Sequence, residues 1–177
     1  MSKAKNKISV NIFCLCDWYE MFAAVAWSFN FVVKIAHLHG GERSLGALDN
    51  SFGSGGYFNN DQHLVFNASK ECIIKSAIID SESSNSITFE LRGSNGVVID
   101  DTTLNVVAGQ QQITLNFEVP VGNDMELGVA AGALQSNGLY RNDENAIYPY
   151  DIASAISITN SSAGLTGYPG YYYFYYN

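Results

Sequence analysis

Charge is what this chain has least of. Asp, Glu, Lys and Arg make up 15% of its 177 residues, well below the roughly one quarter usual in soluble domains. Surface polarity therefore falls to Ser, Asn, Gln, Thr and Gly, a profile common in secreted β-proteins. The charge present is unevenly placed. Residues 1–44 carry five Lys/Arg and three Asp/Glu, a balance of +2; residues 45–177 carry four and fourteen, a balance of −10. So acidic a body repels phosphate backbones, which excludes nucleic acid as a partner.

Cysteine is also scarce. Cys14, Cys16 and Cys72 are an odd number, and the first two are too close to pair readily with each other, so no disulfide framework is encoded. A metal reading combining Cys14, Cys16, His37 and His39 needs single-residue gaps, narrower than zinc sites use. The plainer reading is small apolar cysteines and helix-end histidines. Only His63 lies in the second part of the chain. Catalytic signatures are missing too: G-x-S-x-G, H-E-x-x-H and the Walker A loop are all absent. A Ser-His-Asp set can be assembled on paper, but serines and aspartates abound, so that match carries no information. Cys72 opens an alternating strand and reads as a core residue. The adjacent acids Asp100-Asp101 and Asp143-Glu144 point to opposite sides of a strand and form no glycosidase couple by themselves.

What is present is apolar and aromatic. Hydrophobic residues make up 47% of the chain and aromatics 13%, ample for a core and incompatible with disorder. Residues 1–44 stand apart as an extension. "MSKAKNK" and "ISVNIFCLC" resemble the first two regions of a signal peptide, but Asp17 and Glu20 follow too early. Met21 to Leu38 raises the question of a membrane span, weakened by Ser28, Asn30 and Lys34. We rank a hydrophobic helix or anchor first, a signal-like leader second and an integral strand third. Any membrane contact falls on residues 18–38. "HGGERSLG" then breaks the pattern, with the domain boundary between Gly40 and Gly46.

From residue 45 onward the pattern is β. "HLVFNA", "CIIKSAIID", "SITFELRG", "VVID", "TTLNVV", "QITLNFEV", "MELGVAAG" and "AISIT" read as strands. "SNG" and "AGQQ" are turns between them, and "PVGND" stops a strand. Ile113, Leu115, Phe117 and Val119 point inward, with Thr114, Asn116 and Glu118 outward. Ile87, Phe89 and Leu91 share one face; Thr88, Glu90 and Arg92 share the wet one. No helical period or cap is visible in this part. At least eight short strands at this spacing predict an all-β fold, an antiparallel β-sandwich or jelly roll over residues 45–177. The tail "GYPGYYYFYYN" reads as a closing strand after a Pro-Gly turn. Period two places Phe174 with Tyr172 and Tyr176 in the core. Tyr171, Tyr173 and Tyr175 fall on a face that is half exposed or covers the N-terminal segment.

Two places invite a ligand. "DNSFGSGGYFNND" offers Asp49, Asn59, Asn60 and Asp61 on a Gly-rich backbone, a candidate Ca²⁺ site through Asp49, Asn59 and Asp61. "GLYRNDENAIYPYDI" collects Tyr140, Arg141, Asn142, Tyr148, Tyr150 and Asp151 in a Pro-containing loop, the mixture of aromatic planes and hydrogen-bonding groups that a sugar or peptide surface needs. The structural alternative is that Arg141 pairs with a nearby acid and the tyrosines close one end of the sandwich.

The ordered set "GGYFNNDQHLVFNA", "IIKSAII", "ITFELRGSNGVVI", "VVAGQQQITLNFEVPVGNDMELGV", "GLYRND", "YPYDI", "SITNSS" and "YYYFYY" resembles a β-sandwich module of large secreted proteins of Bacteroidetes-type bacteria. There the module accompanies peptidases and adhesin-like repeats. The resemblance implies a secreted or cell-surface, non-catalytic accessory domain, galactose-binding-like or jelly-roll in form, contacting carbohydrate or a surface protein. Two rival readings follow from the residues themselves. One is a structural subunit of a cell surface, filament or virion, using exposed aromatics at an interface. The other is a small hydrolase built on His63 or on two facing carboxylates. Modules of this kind tend to run on past the aromatic strand, so we expect either a stand-alone relative or part of a longer reading frame.

Overall fold

The computed structural model describes residues 43–135, 137–152 and 155–176. The anchor-like extension, the apolar run 18–38 and the Cys14, Cys16, His37 and His39 grouping lie outside the described residues.

Eleven strands form among the described residues: β1 (Gly55–Phe58), β2 (His63–Ala68), β3 (Cys72–Ser81), β4 (Asn85–Arg92), β5 (Val98–Val106), β6 (Gly109–Val119), β7 (Gly122–Val129), β8 (Leu139–Asn142), β9 (Tyr150–Ile152), β10 (Ile156–Ser161) and β11 (Tyr172–Tyr173). One sheet runs β1-β8-β3-β6, with β11 also on β8; the other has six strands in the order β5-β4-β7-β2-β10-β9. Every pairing is antiparallel. The fold is an antiparallel β-sandwich. Among the described residues no helix is long and apolar enough to cross a membrane.

Alternation builds the core. Ile113, Leu115, Phe117 and Val119 of β6 are buried while Thr114, Asn116 and Glu118 are exposed. Ile87, Phe89 and Leu91 of β4 have no exposed surface. Each such side chain contributes about 1.5–3 kcal/mol when removed from water.

Four expectations need correction. "VVID" and "TTLNVV" belong to one strand, β5. "PVGND" does stop a strand, since β6 ends at Val119, but the next one starts ahead of "MELGVAAG": β7 begins at Gly122. A one-turn helix, α1 (Ser162–Leu165), does form. Ser161 caps it, its hydroxyl accepting from the Gly164 N–H at 3.2 Å. The cap is legible as a Ser just before the turn, but one turn is too short to show a period.

The tail is the fourth. Tyr172 through Tyr176 are all at most 2% exposed, so neither face is wet. β8 gives one edge to β1 along its whole length. On its other edge it meets β3 only at Ser81–Leu139. Into that fork goes the tail: Tyr172 and Tyr173 pair with Asn142 and Arg141, and Tyr176 bridges Ile78 of β3. Between them the chain turns tightly. Phe174 sits at φ 64°, and the Tyr175 N–H donates to the Tyr173 carbonyl at 2.8 Å. Left-handed backbone at Phe174 breaks the period-two rule, so consecutive side chains all find cover.

Candidate functional site

The tyrosines of Gly138–Ile152 face inward. Tyr148 stacks on Tyr172 with centroids 6.1 Å apart and planes 15° apart, and Tyr150 meets both rings edge-on at 5.5 Å. The Tyr148 hydroxyl donates to the Tyr171 carbonyl at 2.8 Å. Burial pushes the Tyr148 phenol far above its ordinary pKa. These rings close the end of the sandwich.

Tyr140, Arg141 and Asn142 lie on strand β8 and not in a loop, which separates their directions. Asn142 has no exposed surface. Its amide NH₂ donates to the Asn50 carbonyl at 3.2 Å and to the Phe52 carbonyl, and its oxygen accepts from the Tyr176 hydroxyl at 2.8 Å. Nothing is left over for a ligand. The Arg141 guanidinium lies over Phe58 at 5.0 Å and over Tyr171 at 4.7 Å. Its Nη1 is 3.0 Å from Asp143 Oδ2, yet out of line for a hydrogen bond. Asp143 titrates below the ordinary carboxylate range because Ser54 donates to it, with Arg141 adding to the effect. Tyr140 packs edge-on against Tyr57 at 5.7 Å. Of the six residues, Asp151 alone is exposed on the outer face of the six-stranded sheet.

The calcium triad is not assembled. Asp49 accepts from the Ser51 N–H and hydroxyl at 2.8 and 2.5 Å, and these bonds lower its pKa. Asn59 donates to the Gln135 carbonyl at 3.0 Å. Asp61 faces Arg92 at 3.3 Å. Three partners in three places leave no shared centre. Among the described residues no three His, Cys, Asp or Glu are grouped to hold a metal ion.

Arg92 organises the densest charge cluster. It sits on the outward face of β4 but is only 8% exposed, contrary to the wet surface expected there. Its Nε donates to Glu90 at 2.7 Å, its Nη2 to the Val129 carbonyl at 2.5 Å, and its Nη1 lies 3.7 Å from Glu126. The guanidinium runs across Gly128, where a side chain would meet the backbone of Gln62 and the Cβ of His63. His63 Nε2 stands 3.6 Å from Glu126. Burial lowers the His63 pKa; Glu126 opposes this and Arg92 adds to it. Ser162 is close by, but its hydroxyl donates to Gln62 at 2.5 Å and accepts from the His63 main-chain N–H, not from the imidazole. The carboxylates are held by a fixed cation, and the serine proton points away from the histidine.

A depression of about 150 Å³ opens on the other half of that same sheet. Ser157 of β10 lies opposite Asn67 of β2 on one side and Asp151 of β9 on the other. The three side chains thus form a polar row across three strands. A β-bulge adds the fourth. Phe66 pairs with Met125 and Ala68 with Gly122, so Asn123 and Asp124 together oppose Asn67. Asp124 is in the left-handed region at φ 53°, and its N–H donates to Asn67 Oδ1 at 2.8 Å. Bulges re-aim side chains; this one brings Asn123 to the rim. Ser69, Ala155 and Ile156 complete the lining, and the last two have almost no exposed surface. In sequence, Asn67 and Ser157 stood only within the strands "HLVFNA" and "AISIT", with no face assigned, and Asn123 only within "PVGND".

Compared with protein-family models, curated proteins and solved structures, the chain matches none.

Proposed function

We propose that the protein is a non-catalytic, extracellular binding module that holds a neutral sugar unit on the outer face of the six-stranded sheet. The observation that carries this reading is the row Asn67–Ser157–Asp151 with Asn123 swung to its rim by the β7 bulge. Two amides, a hydroxyl and a carboxylate offer donors and acceptors side by side, as vicinal sugar hydroxyls require. Asp151 and the acidic body disfavour sialic and uronic acids. The depression is about the volume of one hexose, which fits a weak contact strengthened by repetition. The non-catalytic part rests on Arg92, which engages Glu90, Glu126 and Asp61. Low charge and the family resemblance carry the extracellular part.

Glycan-array binding tests it. The intact protein should bind neutral glycans, and Asp151→Ala or Asn123→Ala should weaken binding about tenfold while the unfolding midpoint stays within error. Absence of any glycan signal from the intact protein, or full binding by both variants, would remove the reading.

A further inference from the structure

Strand β5 is an open edge of the six-stranded sheet: its outer side pairs with no strand among the described residues. The Ala130 N–H donates to the Thr88 carbonyl at 2.9 Å, so the Thr88 main chain faces the β7 side. Thr103 lies directly opposite Thr88. In an antiparallel ladder such a pair is not hydrogen-bonded to itself, and the Thr103 N–H and C=O point out of the sheet. Period two gives Asp101 and Asn105 the same direction. The Asp101 N–H is met there only by its neighbour's side chain, Asp100 Oδ1, at 2.9 Å. Val107 ends the open stretch, because its N–H donates to Gln111 Oε1 at 3.2 Å and its carbonyl accepts from the Gln111 amide. The side chains alternate in step. Ile99, Asp101, Thr103, Asn105 and Val107 are exposed, Asp100, Thr102 and Leu104 are half-buried, and Val106 is buried. The exposed set is a chemical palindrome about Thr103: apolar, acid, hydroxyl, amide, apolar. Open edges of this kind template another strand.

We propose that a second copy of this chain adds its own β5 here, antiparallel about a two-fold axis at Thr103. An axis normal to the sheet keeps inner and outer faces aligned, so only residues of the same face meet. Centred on Thr103, the pairing sets Asp101 opposite Asn105 of the second copy, Ile99 opposite Val107, and Thr103 opposite itself. The open N–H and C=O groups of Asp101, Thr103 and Asn105 then all find partners. The Asn105 amide also offers the Asp101 carboxylate a donor. Within its own sheet Asp101 faces Glu90, a like-charge pair. Other centres lack this match. On Asp100 or Asp101 a carboxylate meets itself, on Thr102 Ile99 meets Asn105, and on Leu104 Asp101 meets Val107. A pairing this short, between two bodies of net charge −10 over residues 45–177, is a weak one.

Sedimentation equilibrium and cysteine cross-linking of the full chain test this. The protein should show a reversible monomer–dimer equilibrium, strengthened by salt that screens the acidic bodies. Asn105→Asp sets two carboxylates face to face, twice in a symmetric dimer, and should weaken association about tenfold. Adding Asp101→Asn exchanges the two groups and should restore it. Both positions are exposed, so the unfolding midpoint should stay within error in either variant. Under oxidation Thr103→Cys should give a dimer linked through position 103 of both chains, identified by peptide mass spectrometry. Hydrogen-bonded partners stand about 5.5 Å apart at Cα, within disulfide reach. Asp101→Cys alone should not link, whereas its mixture with Asn105→Cys should. A strict monomer at the highest concentration reached would overturn the proposal. So would failure of the exchanged pair to restore association, or linking by Asp101→Cys alone.

Discussion

Asn142 and Arg92 are where single side chains decide most. Asn142 ties the 50–54 segment to the tail, through the Asn50 and Phe52 carbonyls on one side and Tyr176 on the other. Asn142→Ala strands those groups in a dry place. We expect a loss of about 2–3 kcal/mol, read as a lower urea midpoint with unchanged slope; an unchanged midpoint would mean water replaces the amide. Arg92→Met should cost more, about 3–5 kcal/mol, because Glu90, Glu126 and Asp61 remain charged around an empty place. Raising the salt concentration or lowering the pH should recover part of that loss. If Arg92→Met proves neutral, the cluster is solvated and the guanidinium is dispensable. His63 adds an acid-side effect. Its folded pKa lies below the ordinary 6.5, so the neutral ring favours the fold. Its contribution is present above about pH 6.5 and is lost as pH falls through the depressed value, a component that His63→Gln should delete.

Among the elements, the tail separates what sequence reveals from what it hides. Runs with unbroken alternation were readable: β2, β4 and β6 lie where apolar residues recur every second position. The tail was readable as a closing segment with one face in the core, but not as buried on both faces. Its path was not, since the fork between β8 and β3 and the turn at Phe174 are set by distant strands. Likewise Asp151 was recognisable as a polar group among aromatics. Asn67, Asn123 and Ser157 were not, because they join Asp151 only through cross-strand register and a bulge. The tyrosines were left open between a ligand surface and a closing cluster for a related reason: a ring-rich segment serves core and binding platform equally well. Phe174→Ala should cost about 3–5 kcal/mol by emptying a site with no exposed surface. Tyr175→Phe should cost only about 1 kcal/mol, the hydrogen bond to the Gly128 carbonyl. Equal costs for the two would contradict the picture of a packed wedge.

For the molecule as a whole, burying a tyrosine cluster fixes behaviour in alkali. Burial raises Tyr172 and Tyr175 well above 10 and Tyr173 to about 12, and moves Tyr176 in the same direction. The unfolded chain releases these protons near pH 10 while the fold retains them. Stability is therefore full below pH 10 and falls as pH rises toward 12. Absorbance near 295 nm should show a fraction of the tyrosines ionising only together with loss of near-ultraviolet circular dichroism. Smooth titration of every tyrosine in a folded protein would disagree. The same burial bears on the proposed sugar contact: rings spent on closing the sandwich are not free to hold a sugar, so the proposal rests on the outer face of the six-stranded sheet. The most direct test is an amide ¹H–¹⁵N titration of the full chain with a panel of neutral monosaccharides, galactose, mannose and N-acetylglucosamine. Shifts confined to Asn67, Asn123, Asp151, Ser157 and their neighbours are predicted. Shifts centred on Tyr57 and Tyr140, or none with any sugar of the panel, would contradict the account.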